Sequence, residues 1–241
     1  MSTEGKPEAR PGRIWILLAI TAAVVGLGIA ITGIATREPS NEYQKVTGAG
    51  DTQRIYGGVR QLGDRLGNED APVQMQVFVD VQSSTYQQQF LDTIPPLVNS
   101  QVRGGQLQML LRNRSLTRNA TELAFYGVAA ATEQNYGWQF ADLMVRNQEA
   151  AEDKGRVDRE FLRTLAEAIP HMDLLAWEES FDAGVKEGSD MTARLEEQDK
   201  LAIKLGIRAE PAVVVTGPRG TEIVQDAPDL ERIEAAITAV R

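Results

Sequence analysis

Small hydroxyl side chains cluster where a predicted buried strand runs into a predicted helix. Within the stretch VFVDVQSSTYQQQF, the residues at this junction are Ser83, Ser84, Thr85 and Tyr86. Such junctions often carry chemistry in α/β proteins, because the carboxyl end of a strand meets the free N–H groups of a helix. A serine here could act as a nucleophile, the N–H groups could bind an anion, or Ser83 or Ser84 could cap the helix.

A serine nucleophile needs an adjacent, oriented base. His171 is the only histidine of the chain, and it follows Pro170 where the pattern indicates a turn between two helices. We therefore expect His171 to be a surface turn residue and predict no catalytic residue. The absence of cysteine excludes thiolate chemistry and iron–sulfur clusters, and with a single histidine we predict no metal site and no cofactor.

Composition and charge narrow the classes of partner. With 42% hydrophobic and 24% charged residues, the chain resembles ordinary globular proteins, and its length suits one good-sized core. The formal net charge is −9, whereas nucleic-acid binding requires clustered lysine and arginine. The sequence has no such cluster, so we expect protein partners and no nucleic acid.

Residues 14–36 form an uninterrupted run without a charged side chain. About 20 apolar residues cross the hydrocarbon core of a bilayer, so this run predicts a single transmembrane helix. Basic residues are concentrated in the predicted cytoplasmic segment 1–13, which places the rest of the chain outside the cytoplasm at the cell membrane. A cleaved signal peptide is the alternative, which the length of the run disfavours.

The remaining chain reads as a linker over 37–58 and a domain over 59–241. The linker is polar, contains glycine and has no hydrophobic period. In the domain, an edge strand is predicted near residues 59–62. Alternating apolar residues predict a strand over 73–79, and LQMLLRN predicts another over 107–113. The intervening helix, bent or ended by Pro95-Pro96, makes this a parallel βαβ unit.

The second half is predicted to be helical before it returns to strands. Apolar and aromatic residues recur at helical spacing through an insertion at about 118–188, which indicates core packing. A further helix ends at Gly206, a hairpin spans residues 212–225, and a final amphipathic helix begins after Asp229.

Several segments resemble the DsbA-like disulfide oxidoreductases of the thioredoxin superfamily. LGNEDAPVQMQVFVDVQ is similar to the strand that leads to the family's active site, and TIPPLV to the end of the active-site helix. ATELAFYGVAAATEQNYGWQFADLMVRNQ is similar to the first insertion helices, and KLAIKLGIRAEPAVVVTG to the segment with the family's cis-proline. The match covers roughly residues 64–241. It implies an α/β, thioredoxin-like fold with a DsbA-type helical insertion, preceded here by one transmembrane helix.

The same resemblance implies that this chain cannot carry out the family's reaction. The positions that match the two active-site cysteines are Ser83 and Tyr86, with Ser84 and Thr85 between them. Thiol–disulfide exchange proceeds through a thiolate and a mixed disulfide, which a serine hydroxyl cannot replace. The family's fold is therefore expected without its redox activity.

The segment Ala209-Glu210-Pro211 resembles the cis-proline loop. The resemblance implies that Glu210-Pro211 is cis, lies within about 10 Å of Ser83 and offers a backbone edge to an extended peptide. The Glu210 side chain would favour a basic peptide. We expect Tyr86 to point outward or to fill the space of the missing disulfide, rather than to meet His171.

These observations predict a membrane-anchored, extracytoplasmic pseudo-oxidoreductase that is not an enzyme. Its expected role is that of a non-catalytic binding or accessory subunit, or an assembly factor, of a membrane or envelope complex. The alternative is a chaperone-like or partner-dependent component of disulfide-bond formation in exported proteins. In either role, the candidate binding residues are Ser83, Ser84, Thr85, Tyr86, Glu210 and Pro211.

Overall fold

The computed structural model describes residues 46–83, 86–113, 122–149 and 157–241. Residues Lys45–Arg241 form one compact unit. No helix in the described ranges is long and apolar enough to span a membrane, and the predicted span 14–36 lies outside them.

A six-stranded mixed sheet forms the centre of this unit, in the order β1-β2-β4-β3-β5-β6. Its strands are β1 (Gln61–Leu62), β2 (Arg65–Leu66), β3 (Val73–Val79), β4 (Leu107–Asn113), β5 (Ala212–Gly217) and β6 (Gly220–Val224). Only β3 and β4 run parallel, from the pair Val73↔Leu107 to Val79↔Asn113. This arrangement confirms the predicted βαβ unit, the edge strand and the C-terminal hairpin.

Helices follow the strands in the predicted order. They are α1 (Ala49–Tyr56), α2 (Gln87–Leu97), α3 (Glu122–Glu133), α4 (Gly137–Arg146), α5 (Arg159–Glu167), α6 (Leu174–Gly184), α7 (Asp190–Lys204) and α8 (Leu230–Val240). Helices α3 to α6 correspond to the predicted insertion. Their aromatic residues are core residues as expected, because Trp138, Phe161, Trp177 and Phe181 are buried. Gly206 follows α7 with a φ of 73°, and the Asp229 carboxylate caps α8.

Helix α1 corrects the predicted linker. Residues 37–58 read as a tether, but Ala49–Tyr56 are helical, and Ile55 and Tyr56 are buried against the domain. The Thr52 hydroxyl donates to the carboxylate of Asp142 on α4 at 2.5 Å. The helix has few apolar residues, so its stability comes from this tertiary contact rather than from a sequence pattern.

Two further side chains bind α1 to the domain. The Asn147 side chain forms hydrogen bonds with both backbone groups of Thr47, at 2.7 Å to the N–H and 3.0 Å to the carbonyl. The Arg103 guanidinium donates to the carbonyls of Arg54, Ile55 and Gly57 at the end of the helix. Side chains at helix ends often satisfy the last carbonyls in this way.

The proline pair does not end α2. Pro95 and Pro96 lie inside the helix, which continues to Leu97 and then into a π-helical segment, Val98–Val102. Each proline removes one helical hydrogen bond. Burial compensates for that loss, because Phe90, Ile94 and Leu97 are packed in the core.

Helix α7 packs against the end of β3, the strand that leads to the junction. Phe78 of β3 forms a buried cluster with Ala202 and Ile207, and with Ala212 and Val214 of β5. This cluster holds the end of β3 and the start of β5 together, which positions the loops that follow and precede them.

Candidate functional site

The end of β3 and the start of β5 lie side by side. Phe78 pairs with Ala212 across the antiparallel β3–β5 ladder. Asp80 follows β3 directly and Pro211 precedes Ala212 directly, so the strand exit and the loop before β5 are neighbours. The Glu210–Pro211 peptide bond is cis, which confirms that expectation. The Asp80 and Glu210 side chains are both buried.

Two buried amide side chains hold the next residue, Val81. The Asn113 Oδ1 atom, at the end of β4, accepts a hydrogen bond from the Val81 N–H at 3.4 Å. The Gln148 Nε2 atom, just after α4, donates to the Val81 carbonyl at 2.5 Å. The loop to α2 therefore starts from a backbone position that is fixed by both the sheet and the insertion.

A tight turn follows this fixed point. The N–H of Gln82 binds Asp80 Oδ1 at 2.9 Å, and the N–H of Ser83 binds the Asp80 carbonyl at 3.1 Å. The N–H of Tyr86 then donates to the Ser83 carbonyl at 3.2 Å. The backbone thus brings Ser83 and Tyr86 close together, as in a hydrogen-bonded β-turn.

Helix α2 begins directly after Tyr86. The residue flanking α2 is Tyr86, whose side chain makes no capping hydrogen bond. Ser83 supplies a backbone carbonyl to the Tyr86 N–H, and capping by Ser83 or Ser84 stays a prediction. Ser84 and Thr85, the other hydroxyl residues of the predicted site, lie outside the described residues.

The Tyr86 side chain is half-buried beside the turn. Burial raises the pKa of Tyr86 above its ordinary value, and the nearby carboxylates of Glu210 and Asp80 raise this pKa further. The same negative charges disfavour an anion at this helix start, which argues against the anion-binding alternative.

His171 lies in a separate part of the domain. It is exposed, with a left-handed φ of 68°, in the turn between α5 and α6. It lines a shallow cleft with residues such as Tyr56 and Gln139, and neither Ser83 nor Tyr86 belongs to that cleft. The expectation of a surface turn residue is confirmed. Within the described ranges, no group of three or more histidine or acidic side chains could hold a metal.

Asn113 and Gln148 are the site residues that the sequence analysis missed. They lie 32 and 67 residues from Val81, so no local pattern connects them to the junction. The only signal for them in the sequence is their polar residue type. Asn113 ends an otherwise apolar strand, and Gln148 belongs to the Asn-Gln pair that closes a segment similar to the family's.

The turn geometry predicts that a disulfide can be restored. A hydrogen-bonded turn keeps its first and fourth Cα atoms within about 7 Å, which overlaps the Cα separation of natural disulfides. We expect the double variant Ser83→Cys with Tyr86→Cys to form an intramolecular disulfide in air. Thiol titration of the denatured protein, before and after reduction, measures this directly because the parent chain has no cysteine.

The two single-cysteine variants serve as controls and should show one free thiol under the same conditions. Two free thiols in the double variant after prolonged exposure to a mild oxidant would show that the turn does not keep the family's cysteine geometry.

The family model described as thioredoxin matches residues 62–239. Among solved structures, oxidised BdbD from Bacillus subtilis is 18% identical, with a TM-score of 0.57, over 75% of this chain and 95% of that chain. DsbA from Chlamydia trachomatis is 19% identical, with a TM-score of 0.60, over 73% of this chain and 89% of that chain. A search of curated protein sequences gives no significant match.

The topology, the cis-proline loop beside the strand exit and the family match agree on one assignment. The structural relatives are under 25% identical, so they support the fold alone. The family match covers most of the chain. The chain belongs to the thioredoxin family, has a DsbA-like fold and contains no cysteine.

Proposed function

We propose that this chain is a membrane-anchored, extracytoplasmic binding protein that serves as an accessory subunit or assembly factor of a membrane or envelope complex. In this proposal, a protein partner binds without covalent chemistry at the junction around Tyr86. The apolar run 14–36 supports the anchor, and the basic residues before it support the orientation.

One observation carries the proposal. Tyr86, at the position that matches the family's second cysteine, is half-buried in the turn that follows Asp80, and the loop with Glu210 neighbours that strand exit. A family reaction centre has thus been replaced by an aromatic ring with a hydroxyl donor, beside acidic groups. Tyrosine is enriched at protein interfaces because it combines apolar area with a polar tip.

The acidic neighbours bear on the kind of partner. Burial raises the pKa of Tyr86, and the carboxylates of Glu210 and Asp80 raise this pKa further. A partner segment with a lysine or arginine side chain is favoured there over an acidic one. Because the chain has no cysteine, any role in disulfide formation would depend on a separate thiol protein.

The test places a photo-crosslinking phenylalanine analogue at residue 86 of the tagged full-length chain in its native membranes. We expect one stoichiometric protein adduct, because the junction is a single defined surface. The matched control carries the same analogue at Leu175, which is 66% exposed on α6, and should give at least about tenfold less of that adduct, the difference expected when a central interface contact is compared with an unrelated surface.

Two results would contradict the proposal. Equal adduct yields from residues 86 and 175 would show that the junction is not a binding surface. A diffuse set of exported proteins together with thiol oxidoreductases at residue 86 would favour the chaperone-like alternative instead.

A further inference from the structure

A second cleft lies between the end of β4, α3 and α7, and its wall combines apolar and polar side chains. Leu111 of β4 and Phe125, Val128 and Ala129 of α3 line it, and its volume is about 240 Å³. Sites for drug-sized ligands start at about 300 Å³, so this cleft suits a smaller molecule. It is distinct from the surface around Tyr86.

The cleft contains a buried hydrogen-bond donor whose direction is fixed. Asn113 lines the cleft and is 5% exposed. Its Oδ1 atom accepts a hydrogen bond from the Val81 N–H. The Nδ2 group is therefore the end of the amide that can donate to a ligand. Within the described residues, Nδ2 has no hydrogen-bond partner. An unsatisfied buried donor is costly, and an acceptor oxygen on a ligand would remove that cost.

A second amide lines the cleft from α7. The Oε1 atom of Gln198 is buried and, among the described side chains and backbone, receives no hydrogen bond. The two ends of a glutamine amide are nearly indistinguishable by shape, so either the oxygen or the NH₂ group can face the cleft. A ligand with both a donor and an acceptor satisfies Gln198 in either orientation.

The charged residues of the cleft already have partners. Asp64 is paired with Arg112, and Arg194 binds Glu133 at 3.3 Å. The Thr132 hydroxyl donates to the Val128 carbonyl at 2.8 Å. A charged ligand would therefore be desolvated without a free counter-charge, which is unfavourable.

We propose that this cleft binds a small, uncharged carboxamide with an apolar or aromatic body. The carbonyl oxygen accepts from Asn113 Nδ2, the amide N–H group meets Gln198, and the apolar body packs on Phe125 and Val128. This site shares Asn113 with the support of the turn, through the hydrogen bond to Val81, but none of its lining residues belongs to the turn itself or to the loop before β5.

Benzamide is the probe, because it carries these groups on a body of the right size. The full-length chain, labelled at leucine and valine methyl groups, is titrated in lipid nanodiscs and followed by NMR. We expect saturable shifts at Leu111 and Val128 and none at Val224, a buried residue of β6 outside the cleft. Site-resolved methyl signals separate binding in the cleft from partitioning into lipid.

Benzoate and acetophenone are matched to benzamide in shape but differ in chemistry. Benzoate has a charge and no N–H group, and we expect its affinity to be at least about tenfold lower, in line with one lost hydrogen bond and an unpaired charge. Acetophenone lacks only the N–H group and should bind between the two. The absence of benzamide shifts at Leu111 and Val128, or benzoate binding as tight as benzamide, would overturn the proposal.

Variants assign the binding to these residues. Asn113→Asp keeps an acceptor for the Val81 N–H but replaces the donor, and should weaken benzamide binding about tenfold. Ala129→Phe fills the cleft and should abolish the shifts, whereas Ala129→Ser should retain them. Retained binding in Ala129→Phe would contradict the site, and this pair decides the question even if Asn113→Asp does not fold.

Discussion

The Asp142→Ala variant is expected to lose about 3 kcal/mol of unfolding free energy, the range seen when one partner of a buried charged network is removed. Asp142 is completely buried and accepts hydrogen bonds from the Thr52 hydroxyl at 2.5 Å and from Arg146 Nε at 2.6 Å. The Tyr56 hydroxyl, also buried, lies at 3.5 Å. Alanine leaves these donors without an acceptor. Urea denaturation of the full-length chain in micelles, followed by circular dichroism, measures the loss.

The Asp142→Asn variant is the matched control and also tests the charge. Burial raises the pKa of Asp142 above its ordinary value, despite hydrogen bonds from Arg146 and Thr52 that lower it. The folded state therefore holds the proton more tightly than the unfolded state. The stability from this proton is complete below the unfolded-state pKa and is lost as the pH rises through the folded-state pKa.

Asparagine mimics the protonated aspartate side chain, but its contribution to stability does not depend on pH. The stability difference between the parent chain and Asp142→Asn should therefore shift in favour of the variant as the pH rises through this window. A difference that stays constant across acidic pH would show that the pKa of Asp142 is not raised in the folded state. A loss below about 1 kcal/mol in Asp142→Ala would show that α1 does not depend on this network.

The second large effect is expected for Trp177→Ala, at about 4 kcal/mol of unfolding free energy, the usual cost of removing a buried tryptophan. Trp177 is fully buried on α6, stacked between Phe140 at 5.7 Å and Phe181 at 5.2 Å between ring centroids. Its Nε1 group donates to the Gly127 carbonyl at 3.0 Å. Urea denaturation of the full-length chain in micelles, followed by circular dichroism, measures this loss as well.

Leu175→Ala provides the comparison on the same helix, because Leu175 is 66% exposed. It should change the unfolding free energy by no more than about 0.5 kcal/mol, as surface substitutions usually do. Similar losses in the two variants would show that the stacked aromatic core does not determine the stability of the insertion.

Much of the fold is predictable from the sequence because its signals are local. Alternation along 73–79 and 107–113 predicts the two parallel strands, and helical spacing predicts the insertion that contains Trp138 and Trp177. Gly206 and Asp229 mark a helix end and a helix start through local backbone chemistry. These features depend on residues within a few positions of each other.

The features that were missed depend on distant contacts. Helix α1 has little apolar pattern and is held by Asp142, which lies 90 residues from Thr52 in sequence. Helix α2 continues through Pro95-Pro96 because its apolar face is buried, a property of the assembled core. The match of Ser83 and Tyr86 to the family's two cysteine positions followed from the resemblance, whereas the hydrogen bonds from Asn113 and Gln148 to Val81 did not.

The hydrogen bonds of Val81 also bear on how force passes through the domain. One of its backbone groups is bound by Asn113 of the sheet, and the other by Gln148 at the end of the first insertion helices. A partner that pulls on Tyr86 therefore cannot shift this loop against the sheet alone or against the insertion alone. The strand exit acts as a mechanical junction, through which a load on the loop is shared by both halves of the domain.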